Sequence, residues 1–284
     1  MRLLVLGHRG MLGCDVMERL AAHHEVIGRD VGDFDLTDAD SCRKVVDDAD
    51  PQVVINCAAY TDVDGAEENR DLSFAVNATG VAHLCRACEG REVKIVHLST
   101  DYVFDGKKGD LYTEEDLPSP LNTYGASKLA GEELLRKWPG RFILVRTAWL
   151  YGKNGKNFVT TILDKARRER HLRIVDDQIG SPTYTWDLAG AIQLLIEMDV
   201  TGIFHVTNRG LCSWYAFAKK ILEIAGINGV KIEPIKSYEV GRKALRPPFS
   251  GLSSRKFTQV TGKTLRFWQA ALDDFLSRDL RIVR

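Results

Sequence analysis

Apolar residues fall along this chain in two alternating rhythms. Short unbroken runs occur at Arg2-Leu3-Leu4-Val5-Leu6, Glu25-Val26-Ile27-Gly28, Val53-Val54-Ile55, Lys94-Ile95-Val96-His97-Leu98 and Arg141-Phe142-Ile143-Leu144-Val145-Arg146. Such runs fit strands buried on both faces of a parallel sheet. Between them apolar residues return every three or four positions, as in Met11, Leu12, Val16, Met17 and Leu20, or Phe74, Val76, Val81, Leu84, Cys85 and Cys88, which is helical spacing. Strand and helix in alternation predict an α/β fold built on a doubly wound parallel sheet of the Rossmann type over residues 1–150. Beyond that point the rhythm loosens. A helix near 157–170, a strand at 172–175, a helix near 186–198 and a strand at 203–206 follow, and both strands are expected to rejoin the main sheet. A helix at 213–225, the segment 230–258 and a last helix near 266–278 would build a smaller mixed α/β substrate-binding domain, so that 151–284 interleaves with the first domain through about 172–207.

Composition narrows the function classes. The chain has 284 residues, 44% hydrophobic and 27% charged, which is enough for a sizeable core and excludes a disordered chain. Lys plus Arg and Asp plus Glu both number 39, so bulk charge gives no case for nucleic acid or an anionic membrane. The cluster Lys165, Arg167, Arg168 and Arg170 reads as the exposed side of a helix. The first apolar run is too short for a signal peptide, and no stretch reaches membrane-spanning length, so a cytoplasmic location is expected. Cys14, Cys42, Cys57, Cys85, Cys88 and Cys212 lie inside helical or strand patterns and read as reduced, packing thiols. Cys85 and Cys88 lack the second pair that a zinc site requires, and the histidines lack metal-ligand spacing, so no metal is expected.

The first strand leads into Gly7-His8-Arg9-Gly10-Met11-Leu12-Gly13, where a helix begins. Strand, glycines and helix in this order suit a pyrophosphate, which meets the free N–H groups and the positive end of the helix dipole. About twenty residues on, where an acidic group usually meets the adenosine ribose, stands Asp30 beside Arg29. A carboxylate resists a 2′-phosphate and a guanidinium accepts one, so NADH and NADPH both stay open. Asp35 and Leu36 fall where adenine would rest, Thr37 or Asp38 can cap the next helix, and Ala58 and Ala59 leave room for a cofactor at the carboxyl edge of the sheet. Asn77, polar within an apolar stripe, points to a buried hydrogen-bonding role. Ser99-Thr100-Asp101 leaves the fourth strand, and the long loop 105–122 that follows can serve as a flap over a substrate. In Tyr124-Gly125-Ala126-Ser127-Lys128, phenol and ammonium are stacked at i and i+4 of a helix. A fixed cation there is expected to lower the pKa of the phenol and make it a usable acid for a carbonyl that gains a hydride.

Taken in order, the Gly7–Gly13 turn, Asn56-Cys57-Ala58-Ala59-Tyr60-Thr61, Ser99-Thr100-Asp101-Tyr102-Val103-Phe104, Tyr124 to Lys128, Arg146-Thr147-Ala148-Trp149-Leu150-Tyr151, Asp177-Gln178-Ile179-Gly180-Ser181-Pro182-Thr183 and Arg246-Pro247 resemble the extended short-chain dehydrogenase/reductases. Within that superfamily the chain resembles the dTDP-4-dehydrorhamnose reductase family over nearly its whole length. The resemblance implies reduction of the C4 ketone of dTDP-4-dehydro-L-rhamnose to dTDP-L-rhamnose with NADH or NADPH, a step of dTDP-rhamnose and polysaccharide biosynthesis. It implies that Tyr124 protonates the carbonyl oxygen, Thr100 polarises it and Lys128 holds the nicotinamide ribose. It further implies that Met11, Leu12, Tyr60 and Leu98 meet the cofactor, that Asp101 and Tyr102 contact the substrate, that Trp149 lies against the deoxysugar, and that Thr61 and Val63 line the pocket. Arg246 is placed near the nucleotide phosphates or in a structural salt bridge. Some relatives dimerise through magnesium. Asp15 fits that role, but Trp186 and Arg278 stand at the other two acidic positions, so a homodimer is compatible with the resemblance and a metal-bridged one is not expected. Two alternatives stand beside this reading. One is a nucleotide-sugar epimerase or dehydratase of the same superfamily; such dehydratases carry Asp-Glu after the active-site threonine, and here Asp101 is followed by Tyr102. The other is a non-catalytic, dinucleotide-binding regulatory subunit related to that of methionine adenosyltransferase, against which the intact Thr100, Tyr124 and Lys128 weigh.

Overall fold

The computed structural model describes residues 1–282. Its centre is a six-stranded sheet in which every neighbouring pair is parallel. Arg2–Leu6 (β1), Glu25–Arg29 (β2), Val53–Asn56 (β3), Lys94–Thr100 (β4) and Arg141–Thr147 (β5) lie in the order β2-β1-β3-β4-β5, and Gly202–His205 closes the far edge beside β5. Alternation along the strands sends Leu3, Val5, Val96 and Ile143 to one face and Leu4, Leu6, Ile95 and Leu144 to the other. The first face packs on the helices Met11–Leu20 (α1) and Thr185–Glu197 through Val16, Leu20, Leu188 and Ile192, and the second packs on Ala39–Ala49 and Gly80–Ala87 through Val46 and Leu84. Each fully buried aliphatic side chain contributes about 1.5–3 kcal/mol, so two-sided burial is the main force holding the layers together. Strand order reverses between β1 and β3, and the crevice at such a reversal is where α/β sheets bind ligands.

Of the two later strands expected in this sheet, Gly202–His205 joins it and the other does not. His171–Val175 pairs instead with Lys231–Ile235. The reason lies in its own alternation: His171 and Arg173 are exposed while Leu172 and Ile174 are buried, which suits a one-sided strand. The exposed residues are held by acids, His171 by Glu233 at 2.8 Å and Arg173 by Glu239 at 2.6 Å. This second sheet covers another apolar core around Tyr151, Tyr184, Phe217, Trp268 and Phe275.

The loop 105–122 is not a free flap. The Tyr112 N–H donates to the Gly251 carbonyl, Ser253 N–H donates to the Tyr112 carbonyl, the Tyr112 ring stacks on Phe104 at 4.2 Å, and Glu114 accepts from the His205 N–H. A loop with its middle stitched to two other segments is a wall rather than a lid. Asn77 takes the buried role its position suggests. It sits in a single π turn, Ala75–Thr79, bonds both the N–H and the carbonyl of Tyr60, and donates to the Ser127 hydroxyl, so it ties the exit of β3 to the helix Thr123–Lys137.

Candidate active site

The glycine turn is shaped by contacts that leave no room for side chains. Gly7 has φ +74°, and a Cβ there would lie 2.8 Å from the Ala58 nitrogen. A Cβ on Gly13 would overlap the Gly7 carbonyl oxygen. Gly10 begins α1 without any side-chain cap, so the N–H groups of the first turn are left to whatever enters the crevice. This arrangement fits a pyrophosphate.

Two adjoining clefts share Gly7, Asp30, Val31, Ala58 and Ala59. The outer one, about 580 Å³, is lined also by Asp35, Leu36, Tyr60, Leu72 and Val76. The inner one, about 570 Å³, gathers Gly10, Met11, Leu12, Thr61, Leu98, Thr100, Asp101, Tyr124, Lys128 and Trp149. Together they fit a dinucleotide lying across β1 and β3 with its reactive end beside Thr100 and Tyr124. The Asp30 carboxylate accepts from the N–H groups of Arg9 at 2.7 Å and Val31 at 2.8 Å, and the Arg29 guanidinium donates to the Gly28 carbonyl. Asp35 is engaged by the N–H and hydroxyl of Thr37, which hold its carboxyl below the usual range. Gly13, Arg29, Val63, Tyr102 and Arg246 do not line either cleft. Val31, Cys57, Thr147, Ala148 and Gly155 line the inner cleft without having been singled out from the sequence.

Three segments bring the reactive groups together. Asn122 caps the helix Thr123–Lys137 by accepting from the Gly125 N–H at 2.8 Å, which places Tyr124 in the first turn over the end of β4. The Thr100 hydroxyl donates to Asp101 at 3.0 Å and accepts from the Tyr102 N–H at 3.2 Å, and it lies beside the Tyr124 phenol. Burial raises the phenol above its ordinary value, with Asp101 and Tyr102 adding to the effect and Thr100 opposing it. Burial likewise pushes the Asp101 carboxyl up to about 7, against the pull of Ser250 and Thr100. Tyr102 meets Tyr124 edge-on at 6.1 Å. Trp149, at φ +49°, stacks on Trp214 with centroids 3.5 Å apart, which fixes one wall of the inner cleft.

One electrostatic expectation is corrected. Lys128 does not lower the phenol's pKa in this arrangement, because its ammonium turns into the core, where it donates to the Leu98 carbonyl at 2.6 Å and lies 3.4 Å from His97 Nε2. Burial brings Lys128 itself down to about 8, while Glu132 and Cys57 pull the other way. Arg246 takes the salt-bridge alternative: it forks onto Asp64 at 2.6 and 2.8 Å, and its other face meets Tyr102. The layer beneath Lys128 has only a faint signature in the sequence. His97 and Ser99 point from β4 to the helix and meet Lys128 and Glu132, and Glu132 holds Arg146 with a two-pronged pair, all inside the protein. Polar residues at alternate positions of an apolar strand, and a third polar residue one helical turn after Lys128, were the available signals.

Around Asp15 the side chains do not suit a divalent cation. Its carboxylate accepts from Thr185 at 2.5 Å and faces the Lys153 ammonium at 3.7 Å, and Trp186 lies between the guanidinium groups of Arg19 and Arg278 at 4.6 and 3.6 Å. The acids beside it, Glu18 and Asp279, are paired with Lys153 and Arg278 of the chain itself.

Comparison with known proteins adds an independent line. The family described as RmlD substrate binding domain matches residues 1–281. The spore coat polysaccharide biosynthesis protein SpsK of Bacillus subtilis is 40% identical over 276 residues, covering 97% of this chain and 96% of that one. A dTDP-4-dehydrorhamnose reductase of Mycobacterium tuberculosis is 39% identical over 278 residues, covering 95% of this chain and 91% of that one. The crystal structure of dTDP-4-dehydrorhamnose reductase from Bacillus anthracis in complex with NADP superposes with a TM-score of 0.94 at 38% identity, covering 97% of this chain and 98% of that one.

Proposed function

The chain belongs to the RmlD substrate binding domain family, and from that premise we propose that it is an NAD(P)H-dependent dTDP-4-dehydrorhamnose reductase, reducing the C4 ketone of dTDP-4-dehydro-L-rhamnose to dTDP-L-rhamnose in dTDP-rhamnose biosynthesis. The observation that carries the reading is the meeting of Thr100, Tyr124 and Lys128 in a cleft continuous with an uncapped glycine turn.

The reduced nicotinamide supplies the hydride. What the chain supplies is position and a proton. Thr100 and Tyr124 both line the cleft, so a ketone oxygen seated between them receives the phenol's hydrogen bond and, when the Thr100 hydroxyl turns from Asp101, a second one. As charge builds on that oxygen, the phenol releases its proton to it. One donor aimed at such an oxygen is worth about 2.7–4 kcal/mol in the transition state. Lys128 is assigned to the nicotinamide ribose, since the residue lines the cleft one turn from Tyr124, with its ammonium held just beneath on the Leu98 carbonyl. The stacked Trp149 and Trp214 offer a flat apolar wall for the deoxysugar, and Asp101 closes the site from the strand side, with Tyr102 behind it edge-on to Tyr124. The residues 1–150 would carry the cofactor and most of 151–284 the sugar nucleotide. A cytoplasmic site of action and a homodimer belong to the same proposal. Among the described residues no helix is long and apolar enough to cross a membrane, and sedimentation would report the number of subunits.

The test is to generate dTDP-4-dehydro-L-rhamnose in situ and follow the loss of nicotinamide absorbance with each cofactor. Tyr124→Phe should keep cofactor affinity while turnover falls by about 10²–10⁴. A variant that reduced the sugar as fast as its parent would remove Tyr124 as the proton donor. Cofactor binding without turnover of any dTDP-sugar would favour the regulatory-subunit alternative.

A further inference from the structure

A hydrogen-bond chain behind Lys128 fixes which nitrogen of His97 carries the proton. The Ala58 N–H donates to Asn56 Oδ1 at 3.1 Å, and this orients the Asn56 amide. Its Nδ2 then faces His97 Nδ1 at 3.1 Å, across the register pair that joins β3 to β4. An amide nitrogen only donates, so His97 Nδ1 must accept, and the proton of the neutral ring sits on Nε2. That Nε2–H points at the Lys128 nitrogen, 3.4 Å away. An ammonium meets it donor to donor, whereas an uncharged amine meets it with a lone pair.

We propose that His97 is a positioning residue that weakens the hold of Lys128 on its proton, through a ring tautomer dictated by Asn56. The proposal rests on the cofactor role given to Lys128 above. The imidazole stays neutral because it is buried and because Lys128 is close. Three other groups face Lys128 and act in the opposite sense. The Leu98 carbonyl accepts from its nitrogen at 2.6 Å, Glu132, on the same helix, is itself held by Arg146 and Ser99, and Cys57, just after β3, is a thiol that burial keeps protonated up to about 12. Burial outweighs their pull, and the Nε2–H of His97, set by Asn56, acts in the same sense as burial. The result is a lysine able to lose its proton near working pH, so that release of the cofactor is coupled to pH.

Two measurements test this. In histidine-labelled protein without ligand, ¹⁵N shifts should show His97 as the neutral Nε2–H tautomer, its signal identified by its loss in His97→Gln. An Nδ1–H tautomer would overturn the proposal. The second is NADPH affinity against pH, with Lys128→Met identifying the alkaline limb that belongs to Lys128. In Asn56→Asp the carboxylate accepts from Ala58 N–H and from His97 Nδ1–H, which turns a lone pair on Nε2 toward Lys128. In His97→Gln the side-chain carbonyl can do the same. Both variants should move the limb upward by about one pH unit or more, the size of shift that one close partner produces. Profiles that overlay the parent's in both variants would overturn the proposal. Absence of NADPH binding by the parent would instead sink the reductase reading, and the tautomer, read without ligand, would still decide this one.

Discussion

The buried pair of Glu132 and Arg146 offers the sharpest stability test. Glu132 is fully buried and Arg146 is 1% exposed, and three contacts of 2.6–3.2 Å join them. Ser99 donates to the same carboxylate at 2.5 Å, and His205 Nε2 lies 3.3 Å from the guanidinium. Removing one charge leaves the other in an apolar interior, which costs about 3–5 kcal/mol. For a chain of this length the unfolding entropy is about 0.6 kcal/mol/K, so Glu132→Met alone should lower Tm by about 5–8 °C. Replacing both with methionine removes the charge and its partner together, and such exchanges are often neutral or stabilising. The double variant should therefore recover most of the loss. Tm by calorimetry and urea midpoints on parent, both singles and the double would measure the coupling. A double variant that lost the sum of its singles would refute the account, because additive losses mean zero coupling and no orphaned-charge cost for the second substitution to relieve. Glu132→Met should also lower the proton affinity of Lys128, since Glu132 is the largest influence that raises it.

Two further outcomes follow from the site. Gly13→Ala forces a Cβ into the Gly7 carbonyl, so it should cost about 1–3 kcal/mol of stability and at least about tenfold in NADPH affinity, read by fluorescence titration; unchanged affinity would separate the turn from the cofactor. Asp101, with a folded pKa of about 7, holds a proton that the unfolded chain releases near ~3.9, so its contribution to stability is present below that value and is lost as pH rises through 7, by at most about 1.4 kcal/mol per unit. Asp101→Asn should flatten that slope in urea midpoints taken from pH 4 to 8, and an unaltered slope would place the pH dependence elsewhere.

What could be read from the chain was whatever depends on local periodicity and local sterics. Unbroken apolar runs of strand length favour strands, buried on both faces inside the sheet and half-buried at its β2 edge, and Gly7 and Gly13 sit where any side chain collides, so β1 to β5 and the turn were legible. Tyr124 and Lys128 were legible as a pair because helical geometry stacks them whatever surrounds the helix. Long-range choices were not. His171–Val175 carries enough apolar residues for a strand, but its partner, Lys231–Ile235, lies far along the chain, and only the exposed His171 and Arg173 hinted that it would stay outside the main sheet. The tether of Tyr112 to Gly251 and Ser253 is likewise a contact between distant segments without a local signature. The orientation of Lys128 was misread for the same reason. Its partners, Leu98 and His97, come from a different element, and helix spacing says where a side chain starts but not which of two neighbours it chooses.

That orientation changes how the chemistry is to be understood. A lysine close enough to lower a tyrosine's pKa would favour phenolate, which suits oxidation, where the phenol must take a proton from an alcohol. Here the phenol is raised by burial, and the ammonium is turned to a backbone carbonyl. Tyr124 is therefore protonated across the neutral range, the state that the proposed reduction consumes. Asp101 reinforces this state, since a carboxyl titrating near 7 one residue from Thr100 disfavours a second negative charge at the same spot. In the proposed reduction, burial, usually counted as an obstacle to ionisable groups, favours proton flow from the phenol toward the substrate oxygen.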